Sequence, residues 1–436
     1  MKSFGKEITL NLVAFSSSNY WKDENQIYYA EIMLSEIESK LINRKINCSK
    51  IIITKNEDIR ELEKNSLLKD QPALFFPMSG ATQELMLKSS SVFDVLGIGV
   101  TYTGFFIDKA IADKFLVKNA APAAMDIYAV LKRTKKNLKL FSDLDEVLKR
   151  FTAKRAVERM KNSVLLRIGE TEPWVISSTK DIGDIKNKLG VNAISIPQTD
   201  LEEEYMGIKE SDISEMVNSW ELSAAMFIDV DKKDLVEAVK LSAAVNKLAE
   251  KHSADAVSIA CFNLLNSIGT TACLSVSALN DNEFYVGGCE GDVDSTLTLM
   301  LMKSLTGKAG WIANPMIEHN SALRLAHCSA PRYGNKFPMH LMKHHESGIG
   351  VSPKIFMSAC ERVTLARLGN NLSSINIFSG VTVATDSIET CRTQILVKLD
   401  DLEAYKEKVL GCHQVLTFGD YSEELKICAD MLNLKF

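Results

Sequence analysis

The stretch "GGCEGDVDSTLTLMLMKSLTGKAGWIANP" (residues 287–315) sets three acids, Glu290, Asp292 and Asp294, behind two adjacent glycines and directly against an apolar helical pattern. Asp292 or Asp294 suits the cap of the following helix, where a carboxylate accepts free amide hydrogens and meets the positive end of the helix dipole. Glu290 comes one step earlier. It follows the apparent strand "NEFYVGG" and precedes a helix start, the place where open parallel sheets put their ligands, and the glycines permit close backbone approach there. Further along stand the segment "WIANPMIEHN" and His327 in "LRLAHCSAP". Carboxylate plus imidazole is a mixed oxygen and nitrogen set that suits Mn, Fe or Zn. His327 taken alone fits a core or turn position equally well, and adjacent His327 and Cys328 lack the ligand spacing of a zinc site.

Two other stretches carry polar groups in suggestive order. "PMSGATQ" (residues 77–83) brings Ser79, Gly80 and Thr82 to a helix start, where they cap the helix or surround an anion; the glycine and lysine pattern of a nucleotide loop is missing. "HLMKHHESGIG" aligns His340 and His344 on one face if it is helical and places His345 and Glu346 before a glycine turn, as a polar boundary segment or as pocket lining. It does not have the zinc-protease order of residues.

These residues need elements to position them. "ITLNLVAFSS", "KIIIT", "QPALFFPMSG" and "VFDVLGIGVT" read as strands, and residues 25–41, "ATQELMLKSS" and "KNAAPAAMDIYAVLKR" as helices between and after them. The alternation predicts an open parallel sheet covered by helices. A second such unit starts at "SVLLRIG" and continues through "VNAISIPQ", a long helix near 232–252, "DAVSIACFNLL" and the helix after Asp292. Beyond "RYGNKFP" the texture becomes β-rich, with "KIFMSACERVTLARLGNNLSSINIFSGVTVA" and "RTQILVKL", then a last helix in "YSEELKICADMLNL". The expected fold class is therefore α/β, with domains at 1–160, 161–332 and 333–436.

Composition excludes several classes. The 436 residues are 46% hydrophobic and 25% charged, which suits a globular chain with substantial cores rather than a disordered one. A formal net charge of -5 argues against a general nucleic-acid binder, and the basic run "LKRTKKNLK" has no aromatic residues for stacking, so it reads as a linker or helix end. No apolar run reaches the roughly 18 residues that span a bilayer, no targeting segment opens the sequence, and the cytoplasm is the expected compartment. Nine scattered cysteines form no disulfide or zinc framework and read mostly as small buried thiols.

The segment "TTACLSVSALNDNEFYVGGCEGDVDSTLTLMLMKSLTG" (residues 270–307), then "AHCSAP", then "GCHQVLTFGDY", resembles the L-fucose/L-arabinose isomerase superfamily, its shorter fucose-isomerase-like branch in particular. "MSGATQELML" and "LLRIGETEPW" extend the likeness over nearly the whole chain. The resemblance implies two doubly wound, Rossmann-like parallel-sheet domains followed by a smaller β-rich C-terminal domain. It also implies an aldose–ketose isomerase that uses a divalent metal, Mn²⁺ above all, and an enediol intermediate. Glu290 falls on the family's first acidic ligand, His413 on its C-terminal ligand histidine, and His327 on an active-site histidine. Its second acidic position falls on Asn314, whose carbonyl can ligate a metal but cannot exchange a proton. Glu318 or Asp292 then takes over the acid/base work, or the register is displaced, or the reaction differs.

The expected catalytic residues are Glu290, Asn314 and His327; the expected metal ligands are Glu290, Asn314 and His413. Ser79, Thr82, Asp292, Arg324 and His345 are candidate substrate contacts. Arg324, Arg332 and Lys336 put cations near His327 in sequence, which brings sulfonated or phosphorylated sugars among the candidate monosaccharides. The family also implies a homo-oligomer with active sites near subunit interfaces, the first domain lying over a partner's cleft. Asn314 keeps a rival reading open, a sugar-binding or regulatory protein that has the fold without the reaction.

Overall fold

In the computed structural model, which describes residues 8–17, 26–68, 71–105, 119–135, 137–318 and 322–436, two compact units are drawn from Lys6–Arg155 and Ala156–Phe436. In the first unit, β1 (Leu10–Phe15), β2 (Cys48–Ile53), β3 (Pro72–Pro77), β4 (Asp94–Gly104) and β5 (Lys139–Asp143) pair in the order β2-β1-β3-β4-β5, all parallel. β1 and β3 are buried along their whole length, as strands covered on both faces must be. The rings of Phe15 and Phe75 meet edge to face at 4.7 Å in this core. The basic run at 131–139 falls between the helix Ala120–Leu131 and the start of β5, as a helix end and linker.

The second unit begins with a parallel sheet too. β6 (Val164–Ile168), β7 (Asn192–Ile196), β9 (Ala256–Ile259) and β10 (Val286–Gly288) pair in the order β10-β9-β6-β7. The short β8 (Met226–Ile228) instead joins β13 (Met339–Met342) and β14 (Ser352–Ile355) in a separate three-stranded sheet. His340 therefore stands on a strand, and the helical face it was expected to share with His344 does not form. Alternation of His340 and Met342 with buried Met339 and Leu341 is a strand pattern, which the histidine spacing obscured.

The remaining strands, β11 (Trp311–Ile317), β12 (Leu323–His327), β15 (Arg362–Gly369), β16 (Ser374–Val383), β17 (Thr393–Leu399) and β18 (Gln414–Phe418), close into an antiparallel barrel in the order β11-β12-β17-β16-β15-β18. The α/β class and the β-rich C-terminal part thus stand as expected. The barrel starts at Trp311, however, ahead of the expected boundary at 332/333. What assigns β11 to it is pairing with β18 near the end of the chain, Trp311 opposite Leu416, a non-local contact that local texture does not reveal. Among the described residues no helix is long and apolar enough to cross a membrane.

One helix ties sheet to barrel. Val293–Thr306 is buried on nearly every face and packs on β9 and β10 on one side and on β11, β15 and β18 on the other. That suits its mostly apolar and hydroxyl composition, and its two buried charged residues, Asp294 and Lys303, are met by the Thr179 amide and by the Asn280 and Asn282 carbonyls. It also explains one of the two glycines that precede it. A Cβ on Gly288 would lie 1.8 Å from Thr296 Oγ1, so only glycine lets this helix lie against β10. Gly288→Ala is expected to lower unfolding stability by about 1–3 kcal/mol through overpacking, measured as a shifted urea midpoint at unchanged slope.

Candidate metal centre

The carboxyl ends of three parallel strands and one end of the barrel meet around Glu290. β10 ends at Gly288, and Glu290 follows two residues later with φ +58°, a left-handed conformation that costs a non-glycine residue roughly 1–3 kcal/mol. The loop after β6 holds it there: Glu172 N donates to Glu290 O (3.0 Å) and Thr171 Oγ1 to Gly291 O (2.9 Å). Gly291, also left-handed at φ +64°, lies so close that a Cβ would sit 2.8 Å from Thr171 Cα. The turn is thus built to aim one side chain.

That side chain meets two imidazoles. Glu290 Oε1 is 3.5 Å from His327 Nε2, at the end of β12, and 3.6 Å from His413 Nε2, just before β18. These are ion-pair distances, too long for good hydrogen bonds. His327 Nε2 is buried without a hydrogen-bond partner, and one ligand atom from each of the three residues lies within 4.8 Å of the others. The outer nitrogens are occupied: His413 Nδ1 bonds Asp292 Oδ2 (2.8 Å), and His327 Nδ1 bonds Ser329 Oγ (3.0 Å). Both rings are fixed by the nitrogen that faces away, which is how metal-ligating histidines are held. An unpartnered buried nitrogen, a second nitrogen and a carboxylate oxygen aimed at one point fit a divalent cation of the Mn, Fe or Zn type.

The charges are strongly coupled. Burial works against the Glu290 carboxylate, yet His327 and His413 outweigh it and hold its pKa well below the usual range. Burial alone would lower His413, but Asp292, Cys412 and Glu290 push it well above its ordinary value. Behind His413 sits Asp292, fully buried, which accepts from Arg367 Nη1 (2.7 Å), from Ser295 Oγ (2.8 Å) and from the Ser295 amide (3.2 Å) as N-cap of the central helix. Arg367, on β15, is fully buried as well. Asp294 does not cap. It accepts from Thr179 N (3.1 Å) with Oδ1 and leaves Oδ2 unpartnered, and burial, opposed by Thr179 and reinforced by Asp292, pushes it up to about 6.

The expected site residues divide. Glu290, Asn314 and His327 line one cavity, and His413 joins them through Glu290 and through its ring, 5.4 Å from that of His327. Asn314 lies on β11 opposite Ala326, the residue before His327. Asp292 is saturated by Arg367, Ser295 and His413, so it supports a ligand where a substrate contact was expected. Arg324 is also misplaced by expectation. Three residues from His327 along a strand, it points to the opposite face, where it bonds Glu318, Thr385, Gln394 and the Asp386 carbonyl. Glu318 is thereby committed too. Arg332 and Lys336 likewise hold Asp281 and Glu361.

His345 pairs with exposed Glu389 at 3.5 Å, and its neighbour His344 lines the cavity in its stead. Ser79 and Thr82 lie buried in the first unit, where Thr82 Oγ1 donates to Ser79 O (3.0 Å); Thr82 is an N-cap whose hydroxyl does not cap. Sequence reasoning missed Trp174, which bonds Glu290, and Phe262 and five cysteines, Cys261, Cys273, Cys289, Cys328 and Cys391, which line the cavity; His344 was weighed only as part of a segment that could line a pocket. For Cys261, Phe262, Cys289 and Cys328 the signal was a position just past a strand end; Trp174, Cys273 and Cys391 carried none.

Arg367→Met removes the guanidinium partner of buried Asp292, leaving His413 and Ser295 as its partners, and is expected to cost up to about 3–5 kcal/mol in chemical denaturation. Asp294 has a folded pKa raised above its unfolded value, so the unfolded chain gives up this proton first and stability falls as pH rises from about 4 to about 6. Asp294→Asn is expected to flatten that part of the stability profile, and an unchanged slope would contradict the placement.

No family model matches the chain. It is similar to a sulfoquinovose isomerase of Clostridium sp. (strain MSTE9), 23% identical over 268 residues, which is 58% of this chain and 59% of that protein. The chain thus spans less than two thirds of that relative's length. At this distance the similarity carries a coarse relationship, that of this chain to a sugar isomerase.

Proposed function

We propose that the chain is a divalent-metal-dependent aldose–ketose isomerase. The observation that carries the reading is the convergence of Glu290 Oε1, His327 Nε2 and His413 Nε2 on one point with both outer imidazole nitrogens already bound. The relationship to a sugar isomerase supports the reaction class. Glu290, His327 and His413 would hold the cation, with the Asn314 carbonyl as a neutral fourth donor in the same cavity. Bound there, a cation of the Mn²⁺ type supplies Lewis-acid stabilisation of the oxygen charge that develops as an enediol forms.

The chain's own groups set the rest. Asp292 fixes His413 with Nε2 toward the site, and Arg367 keeps Asp292 ionised so that it accepts the Nδ1 proton. Ser329 performs the same orienting role at His327. Glu290, held ionised, is acceptor-only, which suits it as the anionic ligand of the cation. Phe262, Leu265 and the thiols make the remaining cavity wall together with the polar Thr271, His344 and Glu346.

Asn314 supports one rival, a sugar-binding protein without turnover. Incubation of the Mn²⁺-loaded protein with aldoses and ketoses, charged ones included, in D₂O separates the two: isomerisation or exchange at the carbon beside the carbonyl is expected. Their absence across the panel, with sugar stabilisation indifferent to metal and chelator, would favour the binder. Glu290→Gln is expected to abolish turnover in a folded protein, His413→Ala to weaken Mn²⁺ binding, and Asn314→Asp to tighten it. Because a proton on His413 Nε2 competes with the cation and the carboxylates around it favour that proton, Mn²⁺ affinity is expected to fall as pH falls, seen by calorimetry at several pH values.

A further inference from the structure

The loop after β6 does more than brace the Glu290 turn. It carries Trp174, whose indole Nε1 donates to Glu290 Oε2 at 2.8 Å, the oxygen that does not face the imidazoles. Trp174 is 51% exposed, so water alone could satisfy this donor; its bond goes inward to a carboxylate that is 8% exposed. The ring is held from the side as well. Its edge meets Phe262 at 4.8 Å, the Phe262 amide donates to Glu172 Oε1 (2.9 Å), and the Glu172 amide binds the Glu290 carbonyl. A closed circuit of Trp174, Phe262, Glu172 and Glu290 results, anchored at both ends on the strained residue.

A carboxylate with both oxygens free can rotate and offer either one, or both, to its surroundings. The indole bond removes that freedom. We infer that Trp174 is a positioning residue for Glu290: by occupying Oε2 it leaves Oε1 as the oxygen presented to the point shared with His327 and His413. The inference rests on the metal reading proposed above and assigns a function to the segment "IGETEPW", which that reading leaves idle. A hydrogen bond to a ligating carboxylate belongs to the outer layer of partners whose loss lowers metal affinity. Because the donor is itself an indole, the same bond makes Trp174 an optical reporter of what Glu290 binds.

The test uses the full chain, with Mn²⁺ as the probe. Trp174→Phe keeps an aromatic ring against Phe262 and removes the N–H donor, together with one ring of the indole. Calorimetric titration is expected to give Mn²⁺ binding about 10–100-fold weaker in W174F than in the wild type, with the thermal midpoint of the metal-free protein little changed. Tryptophan emission of the wild type is expected to change on Mn²⁺ addition, and this readout needs no variant to fold. Equal Mn²⁺ affinity in W174F and wild type, or wild-type emission that is indifferent to bound Mn²⁺, overturns the positioning role and leaves the metal reading standing. A wild type that binds no Mn²⁺ overturns both.

Discussion

Asp292 makes the interaction on which the rest depends. One fully buried carboxylate caps the central helix through Ser295, pairs with buried Arg367 of the barrel, and fixes Nδ1 of His413. Three parts of the second unit are tied at a single residue. A lone buried carboxylate would be prohibitive, and Arg367 offsets that cost with a hydrogen-bonded opposite charge. The pair does not justify itself as a source of stability, since such pairs are often no better than apolar packing. Its product is geometric: the imidazole beyond it points where Glu290 points.

The same economy of position appears across the site. Parallel strands β6, β9 and β10 end together, so the loop that clamps Glu290, the Cys261–Phe262 corner and Glu290 itself are neighbours by topology. The barrel contributes His327 from the end of β12 and His413 from the entry to β18. Neither half alone contains the three groups. The helix Val293–Thr306, buried between sheet and barrel, is what holds the halves in register, and its glycine-flanked start is where the chemistry gathers.

Much of this was legible in the sequence, for reasons that differ by residue. The parallel sheets followed from apolar runs alternating with helical stretches, and a capping role for Asp292 or Asp294 from their place before an apolar helix, the choice between them being left to the structure. Glu290, His327 and His413 stood out through family resemblance, since no spacing joins residues so far apart. Arg324 illustrates the opposite failure: closeness to His327 in sequence suggested a shared site, whereas strand alternation sends the two side chains to opposite faces. His344 lost to His345 by one residue for want of any local cue about which side faces the cavity. Trp174 and the cavity cysteines were invisible because ordinary apolar residues become site residues only when tertiary contacts place them there.

The central claim is that Glu290, His327 and His413 hold one cation. Electron spin-echo spectroscopy of the Mn²⁺-loaded protein tests it most directly, because it counts the imidazole nitrogens bound to the ion. The account predicts two coupled nitrogens in the wild type and one in each of His327→Ala and His413→Ala. A Mn²⁺ signal with no nitrogen coupling, or one that is unchanged in both variants, would contradict it.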